Sequence, residues 1–304
     1  MKTETRSFYE AAVLRSIAQI ARTLDEALDL HALARQAALS PFHFHRVFKG
    51  LVGETPLEMH RRLRLERAAR RLLDGDEAVT AIAFDAGYET HEAFTRAFRL
   101  VYGTSPSSFR RGRADRAQAR RIELAAPSGV HFREDSSEEA TVAFVAGGPT
   151  MNVSLENMPE LRVATVAHVG PYNRIAEAFR DLGALAARAG LFAQPGVAMI
   201  AIYYDDPETT PVERLRSDAA ITVAEGVPLP EGLVEKRLPA GRYARTTHLG
   251  PYTRLGDTWA RFMGDWLPKS GHRVGNGSSY ELYRNDPSSA APGELLTELY
   301  LPIA

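Results

Sequence analysis

The 304-residue chain has no cysteine. That excludes a disulfide framework and any thiolate site, and it suits a reducing cytosol. No apolar run approaches the roughly eighteen residues of a membrane span. The opening MKTETRSFYE is charged and lacks the apolar core of an export signal. A cytoplasmic protein with no membrane partner is the expectation. Catalytic signatures are also missing: there is no Walker loop, no G-x-G-x-x-G after a strand, no H-E-x-x-H and no nucleophile elbow. These absences point to a protein that is not an enzyme, with no cofactor and no metal site.

The chain is long enough for two or three domains with their own cores. Its net charge of −1 is unevenly spread. Residues 1–121 hold 21 Lys and Arg against 15 Asp and Glu, and residues 122–304 hold 16 against 23. A front half at +6 and a rear half at −7 suggest a polyanion binder joined to a part with a different task.

In the basic half the informative stretch is LSPFHFHRVFK at 39–49. Ser40 can cap a helix, and Pro41 fits its first position, where a missing N–H costs nothing. Phe44, Val47, Phe48 and Leu51 form an apolar stripe. Phe42, His45, Arg46 and Lys49 repeat the spacing on the opposite side, with donors suited to base edges and phosphates. Alone this is an amphipathic surface helix with a solvated cationic side. Its neighbours change the reading. Phe8–Leu28 reads as a helix, Asp29 caps a short one over Leu30–Ala37, and the tight turn at Ala38–Ser40 completes a helix-turn-helix pattern. Thr55-Pro56-Leu57-Glu58 is a capping box that opens a helix to about Leu73, about 27 Å long. Most of its arginines (61, 62, 64, 67, 70 and 71) are expected in solvent or near phosphates.

The pattern then recurs. Phe44, Arg46, Phe48, Gly53 and Pro56 reappear fifty positions later as Phe94, Arg96, Phe98, Gly103 and Pro106. Gly87 sits where a left-handed cap would end Val79–Ala86. The following helix, about Thr90–Val101, would expose His91, Glu92, Thr95, Arg96 and Arg99. Two such motifs joined by a helix of about 27 Å suit successive major grooves, which open about 34 Å apart on one DNA face.

Residues 8–111, including GTSPSSFRR at 103–111, resemble the DNA-binding domain of the AraC/XylS transcription regulators. The resemblance implies double-stranded DNA as a partner. It makes Phe42, His43, His45, Arg46 and Lys49 the DNA-binding residues of the first motif, and His91, Glu92, Thr95, Arg96 and Arg99 those of the second. Glu92 is a departure, because phosphate repels a carboxylate, which can accept only from a base such as cytosine. It could instead pair with Arg96 four residues on.

Residues 112–150 read as linker: basic to Arg121, then APSG at 126–129, the acidic EDSSEE at 134–139, and Gly147-Gly148-Pro149, with a short strand at Thr141–Ala146 the exception. The rest is duplicated at an offset of eighty. VATVAHVGPYNR at 163–174 aligns with YARTTHLGPYTR at 243–254, and AIYYDDP at 201–207 with ELYRNDP at 281–287. Each copy reads strand, helix, strand, strand, with helices near Arg174–Ala189 and Arg254–Leu267. Opening strands fall at Met151–Asn157 and Leu233–Leu238, closing strands at Ala219–Ala224 and Leu295–Leu301. Two such units can pair about a pseudo-dyad and leave a groove between their helices, a place where small-ligand pockets form.

The doubled H-x-G-P-Y and the ELYRNDP segment resemble the GyrI-like effector-binding domain, which in Rob-like proteins follows an AraC-type domain. The resemblance implies that Glu281 faces a central pocket for cationic or polar ligands, with Ala201 its dissimilar repeat partner. Trp259, Phe262, Trp266 and Tyr280 are the candidate aromatic walls, with plain core as their competing role. His168 and His248 make a poor metal site without further ligands and read as turn-stabilising.

The fold expectation is thus an all-α double helix-turn-helix domain (1–111), a linker (112–150) and an α+β domain of duplicated units (151–304). The functional expectation is a DNA-binding transcriptional regulator, monomer or homodimer, that senses a small amphipathic or cationic effector and biases promoter binding or contact with RNA polymerase. The alternatives are a GyrI-like small-molecule hydrolase using Glu281 as acid or base, and a ligand-sequestering protein.

Overall fold

The computed structural model describes residues 2–112, 122–134, 142–145, 151–205 and 210–304. Most of the EDSSEE run, the Gly147-Gly148-Pro149 segment and the end of AIYYDDP lie outside the described residues. Contacts divide the chain into two compact units. Met1–Tyr9, Leu39–Val47 and Gly147–Ala304 form one, and Glu10–Ala38 with Phe48–Ala146 the other. This division departs from the 1–111, 112–150 and 151–304 bounds, because two front pieces, Met1–Tyr9 and Leu39–Val47, group with the rear half.

Seven helices lead the chain among the described residues: α1 (Lys2–Arg22), α2 (Leu30–Gln36), α3 (Pro41–Val52), α4 (Pro56–Asp74), α5 (Val79–Asp85), α6 (His91–Tyr102) and α7 (Pro106–Arg111). Their ends follow the local chemistry. Asp29 accepts from the Ala32 amide, Ser40 Oγ from the His43 amide, and Thr55 and Glu58 close the reciprocal box at 3.1 and 2.8 Å. The second turn uses Gly87 at φ 80°. The first uses Ala38 at φ 54°, a left-handed conformation that an L residue adopts at a cost of about 1–2 kcal/mol. Helix α1 begins and ends some six residues earlier than the apolar stripe suggested.

In the second unit, Leu65, Ala69 and Leu72 of α4 meet Ile82 and Ala83 of α5, Phe94 and Phe98 of α6, and Phe109 of α7 in one core. Two expectations change here. The α4 arginines are largely used internally. Arg62 is buried between Glu54 and Glu66, Arg64 donates to the Leu24 and Glu26 carbonyls, and Arg71 pairs with Glu77 and Asp85. The stretch 122–134 is also more than linker. Buried Glu66 accepts from the amides of Leu124 and Phe132 at 2.9 and 2.8 Å, and Ser128 and Val130 are themselves buried. A buried carboxylate needs donors, and this stretch supplies two. Residues 142–145 form no strand, although the Val145 amide donates to Leu51 O.

The first unit is built on one eight-stranded antiparallel sheet. The strands are β1 (Val153–Met158), β2 (Leu161–Val169), β3 (Met199–Tyr203), β4 (Arg216–Thr222), β5 (Val234–Leu238), β6 (Gly241–Leu249), β7 (Tyr280–Tyr283) and β8 (Leu296–Pro302). Each copy therefore has four strands rather than three, because the H-x-G-P-Y segment ends a strand of its own. The order β1-β6-β8-β7-β3-β4-β2-β5 exchanges the opening strands: β1 pairs with the second copy and β5 with the first. The registers match across the duplication, Met158 facing Gly241 as Leu238 faces Leu161.

Helix α8 (Ala176–Arg188) lays Ala178, Leu182 and Ala186 on Ala164, Ala219 and Ile221 of the sheet. Its counterpart is broken into α9 (Leu255–Arg261), a π-helical turn (Phe262–Trp266) and α10 (Leu267–Ser270). The opposite sheet face carries Val163, Ile200, Ile202, Tyr243, Tyr280 and Tyr300.

Candidate effector site and nucleic-acid interface

Strand alternation decides which residues of β3 and β7 share a face. Glu281 and Tyr283 of β7, with Ala201 and Tyr203 of β3, lie on the helix-covered face. Glu281 is buried, at 3% exposure. One carboxylate oxygen accepts from Trp259 Nε1 and the other from the Tyr283 hydroxyl, both at 2.8 Å. The Tyr203 and Tyr283 hydroxyls are 3.4 Å apart. Tyr172 stands edge-on to Tyr203 and Tyr252 to Tyr283, with centroids 4.8 and 5.2 Å apart. The result is a carboxylate set in an aromatic cage.

Burial drives the Glu281 carboxyl above its usual range. The hydrogen bonds from Trp259, Tyr283 and Tyr203 and the charge of Arg46 pull it back part of the way. Tyr203 and Tyr283 are held well above the ordinary phenol value, by burial first and then by the neighbouring Glu281 charge. Hydroxyls that stay protonated can donate to the carboxylate, as that of Tyr283 does.

Of the four aromatic walls read from the sequence, Trp259 touches the carboxylate. Phe262 is fully buried and stacks on Trp259 at 5.9 Å, a supporting position. Trp266 lies a turn further on, against Phe262 and His272. Tyr280 is a correction: one residue from Glu281, it points to the other face and stacks on Tyr300 at 4.7 Å. Tyr203 and Tyr283 were missed, although the offset of eighty carried the signal, a tyrosine at the same place in both copies. His168 and His248 each place Nε2 3.2 Å from the carbonyl of the proline three residues on, as turn-holding histidines would. Among the described residues no group of three or more His, Asp or Glu could hold a metal ion.

The two helices expected to read DNA differ. On α6, Glu92, Arg96 and Arg99 are exposed and His91 and Thr95 half-buried, the face expected. On α3, Lys49 is exposed and Arg46 half-buried, but Phe42, His43 and His45 are buried. The side expected to be solvated is covered because the first turn of α3 packs inside the first compact unit. The Phe42 ring meets that of Trp259 edge-on at 6.0 Å, and His43 Nε2 lies 2.9 Å from Ser279 Oγ. The cationic side that periodicity drew as outward is, at its start, an internal contact.

Paired helix-turn-helix elements on one chain with a duplicated α+β unit, itself holding an acidic aromatic cage, define the class: a one-chain regulator with a sensing domain. Comparison with known proteins agrees. Residues 151–304 match the GyrI-like small molecule binding domain, and residues 33–112 match a helix-turn-helix domain. The chain belongs to the GyrI-like family, joined to an AraC/XylS-like helix-turn-helix architecture. A DNA gyrase inhibitor of Yersinia enterocolitica is 32% identical over 142 residues, 43% of this chain and 85% of that protein. The uncharacterized HTH-type transcriptional regulator YbfP of Bacillus subtilis is 36% identical over 103 residues, 34% of this chain and 35% of that protein. Among solved structures, the DNA-binding domain of AdpA in complex with a target DNA is 32% identical, with a TM-score of 0.32, over 35% of this chain and 96% of that one. No helix among the described residues is long and apolar enough to cross a membrane.

Proposed function

We propose that the chain is a cytoplasmic DNA-binding transcription regulator whose GyrI-like domain takes a lipophilic cation against Glu281, and that α3 and α6 are its reading helices in successive major grooves of double-stranded DNA. One observation supports the ligand class above others: a buried carboxylate flanked by Trp259, Tyr203 and Tyr283. A buried carboxylate is costly unless a cation meets it, and an aromatic cage favours a cation that sheds its water cheaply. Arg96, exposed on α6, is the chief donor to guanine or phosphate in the second groove, and Arg46 plays that part on α3.

A hydrolase would need Glu281 to give or take a proton at a reacting atom. The helix-turn-helix match at residues 33–112 favours the sensing role, since a hydrolase has no use for a DNA-reading half.

Three measurements test the reading. Tetraphenylphosphonium should quench the fluorescence of Trp259 and bind far more weakly to Glu281→Gln. A genome-wide binding map should yield a recurrent operator, and Arg96→Ala should lose about 1–3 kcal/mol on it with a flatter salt dependence. Duplex DNA ignored at low salt would overturn the DNA-binding part. Equal cation affinity in wild type and Glu281→Gln would overturn the sensing part.

A further inference from the structure

The guanidinium of Arg46 lies 3.8 Å from the centroid of the Phe42 ring and 5.9 Å from that of Trp259, whose indole N–H holds Glu281. Phe42 is 4% exposed and edge-on to the same indole. His43 is anchored on both sides, Nδ1 at 3.0 Å from Ser40 Oγ and Nε2 at 2.9 Å from Ser279 Oγ, two residues before Glu281. All these residues belong to one compact unit. A flat, delocalised cation stacked on aromatic rings beside a buried carboxylate is what the cage is built to receive. Here this chain's own arginine supplies it.

We propose that Arg46 is a built-in occupant of the cation cage, and that an effector acts by displacing the Phe42–Arg46 turn of α3 from it. The proposal rests on the reading of Glu281 as a cation site and adds its regulation. It also narrows the effector to a flat or bulky delocalised cation, because a small hydrated ammonium cannot replace both the aromatic contact with Trp259 and the charge. The same side chain cannot sit by Trp259 and read a groove. Effector and DNA therefore act in the same direction: each favours the molecule in which the turn has left the cage. Linkage then requires each to tighten the other's binding.

The test uses the full chain, tetraphenylphosphonium and three variants, Arg46→Gln, Arg46→Lys and Glu281→Gln, each checked for native circular dichroism. An occupant seated in about nine molecules of ten would weaken the apparent cation affinity about tenfold, so loss of the guanidinium in Arg46→Gln should tighten cation binding by up to about tenfold. Arg46→Lys, charged but unable to stack as a plane, should fall between. Amide exchange over 41–47 should accelerate when the cation is added to wild type, which mere charge repulsion at the cage rim would not cause. Equal cation affinity in wild type and Arg46→Gln, or unchanged exchange over 41–47 at saturation, overturns the occupant proposal and leaves the sensor reading standing. If neither wild type nor Arg46→Gln binds the cation, the sensor reading falls and the proposal falls with it.

Discussion

Ala201 and Glu281 face each other across the central β3–β7 pair, and they are the same position in the two copies of the eighty-residue repeat. The pseudo-dyad therefore passes between them. A residue on such an axis meets its own equivalent, with Cα atoms about 4.5–5.5 Å apart. Two glutamates there would crowd two carboxylates into one buried space. Glutamate with alanine gives one charge and room beside it, so the cage is acidic on one side only.

That geometry makes Ala201→Glu informative. Overpacking and a second buried, unpaired charge should cost roughly 3 kcal/mol at pH 7. Part of the loss should return on acidification, when the pair shares a proton. Urea denaturation at pH 7 and pH 4.5 measures both, and a pH-independent loss would show that packing alone is responsible.

Glu281 gives the unit a pH dependence of definite sign. Its carboxyl is raised above 4.5 by burial, so the folded chain keeps this proton to higher pH than the unfolded one. Its contribution to stability is full below the unfolded value and is lost as pH rises through the raised folded value. Glu281→Gln should flatten that decline in denaturation curves taken from pH 4 upward. A bound cation favours the ionised form, so tetraphenylphosphonium affinity should rise with pH across the same window. An affinity independent of pH would remove Glu281 from the binding step.

His43 acts in the opposite direction. Burial, reinforced by the charge of Arg46, lowers its imidazole to about 3. Stability tied to the neutral ring is present above 6.5 and is lost as pH falls from there toward the folded value. His60, lowered to about 4 in the other unit, adds a slope of the same sign. His43→Gln should therefore reduce, not abolish, the loss of stability between pH 6.5 and 5. Amide exchange over 41–47 localises the effect: it should quicken with acid, beyond the intrinsic rate, in wild type and not in the variant.

Glu66 holds the stretch at 122–134 to α4. It is 1% exposed and accepts from Arg62, His131 and the amides of Leu124 and Phe132. Glu66→Ala leaves the Arg62 charge with only Glu54 and strands two amides, so a loss of about 3–5 kcal/mol is expected. Limited proteolysis near residue 125 should accelerate with it. Cleavage at the wild-type rate would mean that Ile122 and Leu124 alone hold the segment.

Local and periodic features were legible in the chain itself. Asp29, Ser40 and Thr55 cap helices where their spacing says they should. The offset of eighty located both halves of the sheet and paired Ala201 with Glu281, the residue that the resemblance to the GyrI-like domain implies in the pocket. Such signals act within one turn, one strand or one repeat, and they survive in a linear string. Less was legible where a residue's neighbour is distant. Tyr280 reads in the sequence as a candidate cavity wall with plain core as its rival, and the pleat puts it in the core of the opposite face.

Order along the chain thus dictated the helix-turn-helix pair and the duplicated sheet, since caps, periodicity and repeats are properties of neighbours in sequence. Tertiary contact alone decided that the exchanged strands β1 and β5 stitch the copies together, that two tyrosines complete the cage, and that Phe42, His43 and Arg46 turn inward. The physical reason is that a face both basic and aromatic serves equally well against phosphate and bases or against a carboxylate among rings. Only its position in the folded chain selects between them.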